Sequence, residues 1–495
     1  MSTLSSEIPK LSAAKLELLA RRLREKGRQP LYAPPISRRD ASRTRPPLSF
    51  AQQRLWFIQQ LEPNNAAYNI PLTVRLNGPL NVGMLEQALS EVVRRHEVLR
   101  TAFEDDEGEP VQVISPPQHV SLPVVDLSEL SEQAWANEIA RHRRSEVETN
   151  FDLAVGPLWR AKLLRLRPDE HLALFTMHHA ISDGWSTGVL IGEIARLYEA
   201  FSTGRPSPLE ELPVQYADYA VWQRGWLQGE VLQAQLDYWR SQLADAPEHL
   251  ELPTDRPQTR NRTTAGANHY FTIPPDVTAR LNEIGRREEA TLFMLMLTAL
   301  ALLLSRYSGQ EDVLIGTVIA GRQRLELERL IGFFVNTLVM RVDLSGNRDF
   351  RDVLSRVRQT TFAAYAHQDV PFEKLVGELQ PGRSLTHNPF FNTLLVIQNV
   401  PRSDFNLDSL RIEWLDPDLV AAKFDLSLTI SELDGRLSGV FVYSTDLFDA
   451  STVAGMAESL QQILRDAAGS QDRGAAAIET TQTGELLNAF NATLQ

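Results

Sequence analysis

The chain contains no cysteine. Disulfides, thiolate nucleophiles and cysteine-based zinc sites are therefore excluded together, and the composition fits a reducing compartment, so the expected location is cytoplasmic. Basic charge is also in deficit: 50 Lys and Arg stand against 63 Asp and Glu, a formal net charge of −13. Phosphate-rich partners select basic surfaces, so nucleic acid is not an expected partner. Long apolar runs are missing. The most apolar stretch, Leu292 to Leu304, has thirteen residues. A membrane span needs ~20, so this stretch reads as a buried helix and no membrane association is expected. The opening Met1-Ser-Thr-Leu-Ser-Ser-Glu7 has neither the charged start nor the apolar run of a signal peptide.

What is present is an ordinary globular composition, 43% hydrophobic and 23% charged over 495 residues. That length allows about three domains of ~150 residues, or two larger lobes. Residues 11–27 have the spacing of a short helix, with Ser12 as cap, Leu11 and Leu16 as staple and Gly27 as stop. It reads either as a solvated end or, over residues 1–28, as a docking helix for an upstream protein. The Pro-, Arg- and Ser-rich stretch over 29–47 reads as a flexible linker.

From Leu48 the pattern is mixed α/β. Val82–Arg95 carries Met84, Leu85, Ala88, Leu89 and Val92 at helical spacing. Arg160–Leu166 and His171–His179 are strand-like runs joined by the turn signal Arg167-Pro-Asp-Glu170. A helix from about Ser186 and the aromatic segment Tyr216–Trp226 follow. The second half repeats the style. Ala290–Tyr307 predicts a buried helix, Asp312–Ile319 a strand, and Phe424–Ile430 with Leu437–Tyr443 a hairpin across Asp434-Gly435. Ser451 is the expected cap of a closing helix. Two α/β lobes of similar size result, 48–225 and 226–469, followed by a tail over 470–495 that reads as a linker.

The chemistry sits in Met177-His178-His179-Ala180-Ile181-Ser182-Asp183-Gly184-Trp185-Ser186. Two histidines end an apolar strand, and an Asp-Gly turn leads into a helix. A neutral imidazole accepts a proton near pH 7. Asp183 is placed to fix the loop by pairing with an arginine or backbone N–H groups. Gly184 permits a tight turn and an exposed N–H as oxyanion donor. A histidine pair at a strand end is more often a structural or core feature than a catalytic one. No metal is expected, because neither HExxH nor another ligand spacing accompanies the pair. Ser186 lacks the GxSxG setting of a serine nucleophile. The residues alone define a candidate histidine-dependent site and no function.

His178-His179-Ala180-Ile181-Ser182-Asp183-Gly184 resembles the HHxxxDG signature of nonribosomal peptide synthetase condensation domains, relatives of chloramphenicol acetyltransferase. Further segments resemble that family's motifs in order: Ser49-Phe-Ala-Gln-Gln-Arg-Leu-Trp56, Arg95-His-Glu-Val-Leu-Arg-Thr-Ala-Phe103, Tyr216-Ala-Asp-Tyr-Ala-Val-Trp-Gln223, Ile331-Gly-Phe-Phe-Val-Asn-Thr337 and His367-Gln-Asp-Val-Pro-Phe-Glu373. The last, Arg383 to Asn388-Pro-Phe-Phe391, has His387 where arginine is more usual.

The resemblance spans roughly Leu48 to Gly469. It implies two chloramphenicol acetyltransferase-like lobes in a V-shaped pseudodimer with a central tunnel. There the amine of an aminoacyl carrier protein attacks a donor thioester to form an amide. No cofactor is expected on the chain itself; the substrates bring the phosphopantetheine arms of carrier proteins, or coenzyme A. His179 is the implied catalytic histidine, assisted by Gly184. His178 and Asp183 are implied supports, Asp183 pairing with Arg100 or Arg95. Asn336, Trp185 and Ser186 are expected along the substrate tunnel.

The paired histidines exclude a heterocyclisation domain, which has aspartates there. The donor is either a fatty acyl group, as in a starter domain of a lipopeptide synthetase, or a peptidyl or aminoacyl carrier protein, as in an internal elongation domain. The sequence leans slightly to the starter. Residues 470–495 resemble the linker into an adenylation domain, the expected neighbour. The reading from another class is a condensation-like domain that recruits partners without catalysis.

Overall fold

The computed structural model describes residues 33–469, apart from positions 41, 64, 248, 258–262, 264, 347, 380–388, 399–405, 408–409, 416–421 and 434. The expected helix over 11–27, Asp434, His387 and the tail over 470–495 lie outside the described residues. The first half runs α1 (Phe50–Leu61), β1 (Asn69–Asn77), α2 (Val82–Arg95), β2 (Thr101–Asp106), β3 (Glu109–Ile114), β4 (Val124–Asp126), α3 (Glu132–Glu148), β5 (Trp159–Arg167), β6 (Glu170–His178), α4 (Gly184–Ser202), α5 (Tyr216–Trp226) and α6 (Gly229–Gln242). The second half runs β7 (Gly266–Ile273), α7 (Pro275–Arg287), α8 (Leu292–Ser308), β8 (Asp312–Ile319), α9 (Leu325–Glu328), β9 (Asn336–Asp343), α10 (Phe350–Ala366), α11 (Phe372–Leu379), β10 (Thr393–Ile397), β11 (Asn406–Leu407), β12 (Leu410–Leu415), β13 (Leu426–Leu433), β14 (Arg436–Ser444) and α12 (Ala450–Gly469).

Local chemistry accounts for the clearest of these. Asn81 Oδ1 accepts from Met84 N at 3.2 Å to start α2, and Arg94 and Arg95 close it where the helix dipole favours cations. Leu85, Ala88, Leu89 and Val92 bury one face, as the spacing predicts. The apolar run forms α8, capped by Thr291, ended by Gly309 at φ 73° and buried on every side from Met294 to Ser305. Among the described residues no single helix is long and apolar enough to cross a membrane. The expected hairpin is β13–β14, with Gly435 at φ 73°. One detail differs: α12 begins at Ala450, so Ser451 lies in its first turn and is not its cap.

Two six-stranded sheets organise the chain. The first has the order β11-β12-β1-β6-β5-β4, the second β7-β14-β13-β10-β8-β9. Both are mixed: β4 runs parallel to β5, and β10 runs parallel to β13 and β8, with the other pairings antiparallel. Each sheet has its own apolar core. A single cut at residue 225 does not separate them. β12 pairs with β1 in the first sheet, Thr73 opposite Leu415, and Leu327, Leu330, Ile331 and Phe334 pack in the first core.

The stretch expected as a flexible linker is strapped to the protein over its described part. Ile36 is buried. Trp222 Nε1 donates to Pro34 O at 2.7 Å and Arg324 Nη2 to Ala33 O at 2.6 Å. Arg39 bonds Asp218 at 2.9 Å and Glu97 at 2.8 Å. In place of helix or strand ladders, its carbonyls and arginines are satisfied by distant groups.

Candidate active site

β6 is one of the two central strands of the first sheet, paired with β1 and β5, and buried from His171 to His178. At its end His179 N still donates to Tyr68 O at 2.9 Å. The chain then tightens into one 3-10 turn, His179–Ile181. Helix α1 holds this turn from above: Ser49 and Gln52 cap the helix reciprocally, and Gln52 Nε2 donates to Ala180 O at 3.1 Å. The Ser49–Trp56 motif is thus a brace for the histidine turn.

The two histidines differ in tautomer and exposure. His178 Nδ1 accepts from Ala180 N at 3.1 Å, which places its proton on Nε2. Its ring lies buried between Tyr68 and Phe151, centroids 6.2 and 6.1 Å away. Burial, then the Lys423 charge, pushes its pKa down to about 4. His179 has the opposite tautomer. Its Nδ1 lies 3.1 Å from Ser182 O, a carbonyl that only accepts, so Nδ1 carries the proton and Nε2 keeps its lone pair. Phe333 packs beside it at 5.1 Å. Burial first, then Lys423 and His178, holds its pKa well below the usual histidine range, against the opposing Ser182 carbonyl. Both imidazoles are neutral at pH 7.

Arg54, Tyr68 and His179 are part-buried and Lys423 is exposed. Arg54 Nη1 bonds Glu373 Oε1 at 2.7 Å, joining α1 to α11. The Lys423 Nζ stands 5.3 Å from the Tyr68 ring centre.

Asp183 corrects the expected pairing. Its carboxylate meets neither Arg95 nor Arg100 but Arg322, at 3.1 Å, from 139 residues away. It also caps α4, accepting from Ser186 N at 2.8 Å, and receives Phe334 N at 3.0 Å. The Arg322 guanidinium donates further to the carbonyls of Leu327 at 2.5 Å and Leu330 at 2.6 Å, 4.2 Å from the Phe334 ring. Arg95 serves Glu193 at 2.9 Å, and Arg100 bonds Ser115 O. Close approach makes this clamp possible. Gly321 sits at φ +64° with Phe334 O 2.0 Å from where a Cβ would stand, and a Cβ on Gly332 would lie 2.0 Å from the Tyr216 ring.

The remaining expected residues divide. Gly184 opens α4, exposed, with nothing within 4 Å of a would-be Cβ, so its backbone faces open space. Ser186 is not a tunnel residue: it is fully buried inside the clamp. Its hydroxyl receives Arg322 at 2.8 Å and Gly332 N at 3.0 Å, while its proton serves either Asp183 at 2.7 Å or Gly332 O at 2.8 Å. Trp185 is stapled by Nε1 to Glu328 O at 2.9 Å. Asn336 uses both ends of its amide. Nδ2 donates to Gln368 O at 2.9 Å and Val370 O at 2.8 Å, while Oδ1 receives Thr337 N at 2.9 Å and Phe372 N at 3.1 Å. It thereby sets the loop that presents Glu373, and it borders a cavity of about 80 Å³ that is also lined by Trp222, Phe333 and Glu373. Arg322 and Lys423 were not singled out from sequence, and Arg54 and Glu373 entered only as motif letters.

Two lobes built on six-stranded sheets, with the histidine turn at a strand end, define an acyltransferase of the chloramphenicol acetyltransferase-like class. Residues 42–486 match the family model described as Condensation domain. The chain therefore belongs to the condensation-domain family, the amide-forming acyltransferases of nonribosomal peptide synthesis that act on carrier-bound substrates. It is 48% identical over 420 residues to one component of the linear gramicidin synthase of Brevibacillus parabrevis, covering 84% of this chain and 5% of that protein. Against phosphinothricin tripeptide synthetase PhsC of Streptomyces viridochromogenes it is 42% identical over 472 residues, 94% of this chain and 43% of the relative. The chain thus spans less than half the length of either relative. Among solved structures, the X-domain complexed with OxyB from teicoplanin biosynthesis is similar at 30% identity and TM-score 0.78, over 88% of this chain and 96% of that one.

Proposed function

We propose that this chain transfers an aminoacyl or peptidyl group from the phosphopantetheine thioester of a donor carrier protein to the amine of an aminoacyl carrier protein, at His179. The acceptor nitrogen attacks the thioester carbonyl, a tetrahedral adduct forms, and the carbon–sulfur bond breaks. The amide stays on the acceptor, and the proton lost by nitrogen ends on the departing thiol. His179 Nε2 takes up that proton in passing or orients the amine that carries it. Gly184 N–H faces the developing oxyanion. The neighbouring adenylation domain supplies the acceptor residue, and the chain itself holds no cofactor.

The observation that carries this reading is the state of His179: Nδ1–H spent on Ser182 O, Nε2 bare, and the ring neutral. General-base assistance contributes about 10²–10⁴ in rate, and holding both reactants together up to ~7–11 kcal/mol. The similarity to a gramicidin synthase supports an aminoacyl or peptidyl donor over a fatty acyl one.

The test is a single-turnover transfer read by intact mass spectrometry. An aminoacyl-carrier acceptor is offered a peptidyl-carrier donor in one reaction and fatty acyl-CoA in another, with His179→Ala beside each. Product from the peptidyl donor that falls about 10²-fold or more in His179→Ala is the expected result. Product from acyl-CoA alone would make the domain a starter. Full activity in His179→Ala would remove the catalytic assignment. No product from a folded, carrier-binding protein would favour a recruiting module, in keeping with the similarity to an X-domain bound to OxyB.

A further inference from the structure

Two adjacent phenylalanines between α9 and β9 have different surroundings. Phe334 is buried, with the Tyr216 and Tyr219 rings at 4.9 and 4.8 Å and the Arg322 guanidinium at 4.2 Å. Phe333 is only half-buried, and its ring meets the His179 imidazole at 5.1 Å, tilted by 55°. The same residue borders the cavity of about 80 Å³ that reaches Trp222, Asn336 and Glu373. We propose that Phe333 is a specificity-determining residue of the transfer. Its ring limits the size of the side chain carried on the α-carbon next to the reacting nitrogen or carbonyl. This rests on the amide-forming role of His179.

Bond lengths bring such a side chain to the ring. A reacting atom sits ~2.6–3.2 Å from the histidine nitrogen that serves it, and the side chain begins two or three bonds of ~1.5 Å beyond. That is about as far from the imidazole as Phe333 is. The loop, meanwhile, is held without the Phe333 ring. Ile331 N donates to His96 Nδ1 at 3.3 Å, Gly332 N to Ser186 Oγ at 3.0 Å and Phe334 N to Asp183 Oδ2 at 3.0 Å. Phe333 O accepts from Tyr216 OH at 2.7 Å. All four are backbone groups of the loop, gripped by side chains from the first half of the chain. A shorter side chain at position 333 therefore opens space beside His179 without releasing the backbone that carries it. That space adjoins a cavity whose lining mixes apolar Leu227 and Ile319 with polar Asn336 and Gln368. Such walls suit a large side chain with a polar tip, tyrosyl for example.

The experiment measures single-turnover transfer by wild type, Phe333→Ala and Phe333→Leu, each checked for folding by thermal melting. One series varies the acceptor, offering glycyl, leucyl and tyrosyl carrier proteins to a single peptidyl donor. The other varies the last residue of the peptidyl donor over the same three, against a single acceptor. Apolar pockets discriminate between side chains of different size by about 10–200-fold, so the tyrosyl-to-glycyl rate ratio is expected to rise about tenfold or more in Phe333→Ala. Phe333→Leu moves the ratio the same way by a smaller factor, and it carries the test if the alanine variant melts too low. A rise in the acceptor series assigns the ring to the acceptor residue, and a rise in the donor series to the donor. Any slowing common to all substrates reports the packing of the ring on His179 and cancels in the ratio. Unchanged ratios in both series, or folded variants inactive on every substrate, would overturn the inference and leave wild-type amide formation standing. A wild-type protein that joins none of the pairs would overturn the functional reading itself, and the inference with it.

Discussion

Replacing Arg322 by methionine is expected to destabilise the protein by about 3–5 kcal/mol, the usual cost of leaving a buried carboxylate without its cation. The setting argues for that range. Both side chains are about 1% exposed or less. Asp183 keeps three donors in the variant, Ser186 N, Ser186 Oγ and Phe334 N, so it is not wholly stripped. The carbonyls of Leu327 and Leu330, however, lose the Arg322 donor as well. For a lobe of ~200 residues, 2–4 °C per kcal/mol converts this to a fall in Tm on the order of 6–20 °C. Urea unfolding of Arg322→Met, Asp183→Asn and the double variant gives the coupling directly. We expect at least ~2 kcal/mol, because either single change strands a buried group that the double change removes. The same cycle between Asp183→Asn and Arg100→Met should be additive. Additivity at Arg322, or a loss under about 0.5 kcal/mol, would refute the clamp.

Glu146 is 3% exposed and gathers Lys162, Arg160 and Thr176, each at 2.7 Å. Burial alone would raise its pKa, but the bonds from Lys162, Thr176 and Arg160 win and hold it below 4.5. Its contribution to stability is therefore present above about pH 4.5 and lost as pH falls through the folded value, so Glu146→Gln should flatten the Tm profile between about pH 5 and 3. An unchanged slope would count against the network. Asn336→Ala gives up four hydrogen bonds. At about 1 kcal/mol each, less what water restores, a loss of roughly 2–3 kcal/mol by urea unfolding is expected, together with slower transfer as the loop carrying Glu373 loosens. Wild-type stability would mean that the loop is held by other contacts.

Sequence periodicity was enough wherever the determinants lie close in the chain. Helix α2 falls on Val82–Arg95 because its cap, its apolar face and its closing arginines are all local. Strand β8 falls on Asp312–Ile319 for the same kind of reason. The histidine turn was legible as a motif, including Asp183 as its anchor. What was not legible depends on separation. The Arg322–Asp183 pair spans 139 residues, and no period or composition reports it; the arginines of the Arg95–Phe103 segment stood nearer in the motif order. Ser186 was expected along the tunnel only through the resemblance, but here the clamp consumes its hydroxyl. The strap before Pro47 failed for a related reason. Pro, Arg and Ser mark the absence of a ladder, not the absence of partners.

The seating of β12 beside β1 bears on how such a domain is cut and recombined. A graft that exchanges residues up to 225 and leaves the rest would bring a foreign β1 against a resident β12, with five Cα-paired positions from Thr73–Leu415 to Asn77–Arg411 to be matched anew. Expressing the two halves as separate polypeptides is worse, because β1 becomes a bare sheet edge until the second chain arrives, an invitation to aggregate. A chimera that respects this wiring transplants residues 322–334 and 406–415 together with the first 225, three pieces of one inheritance rather than one.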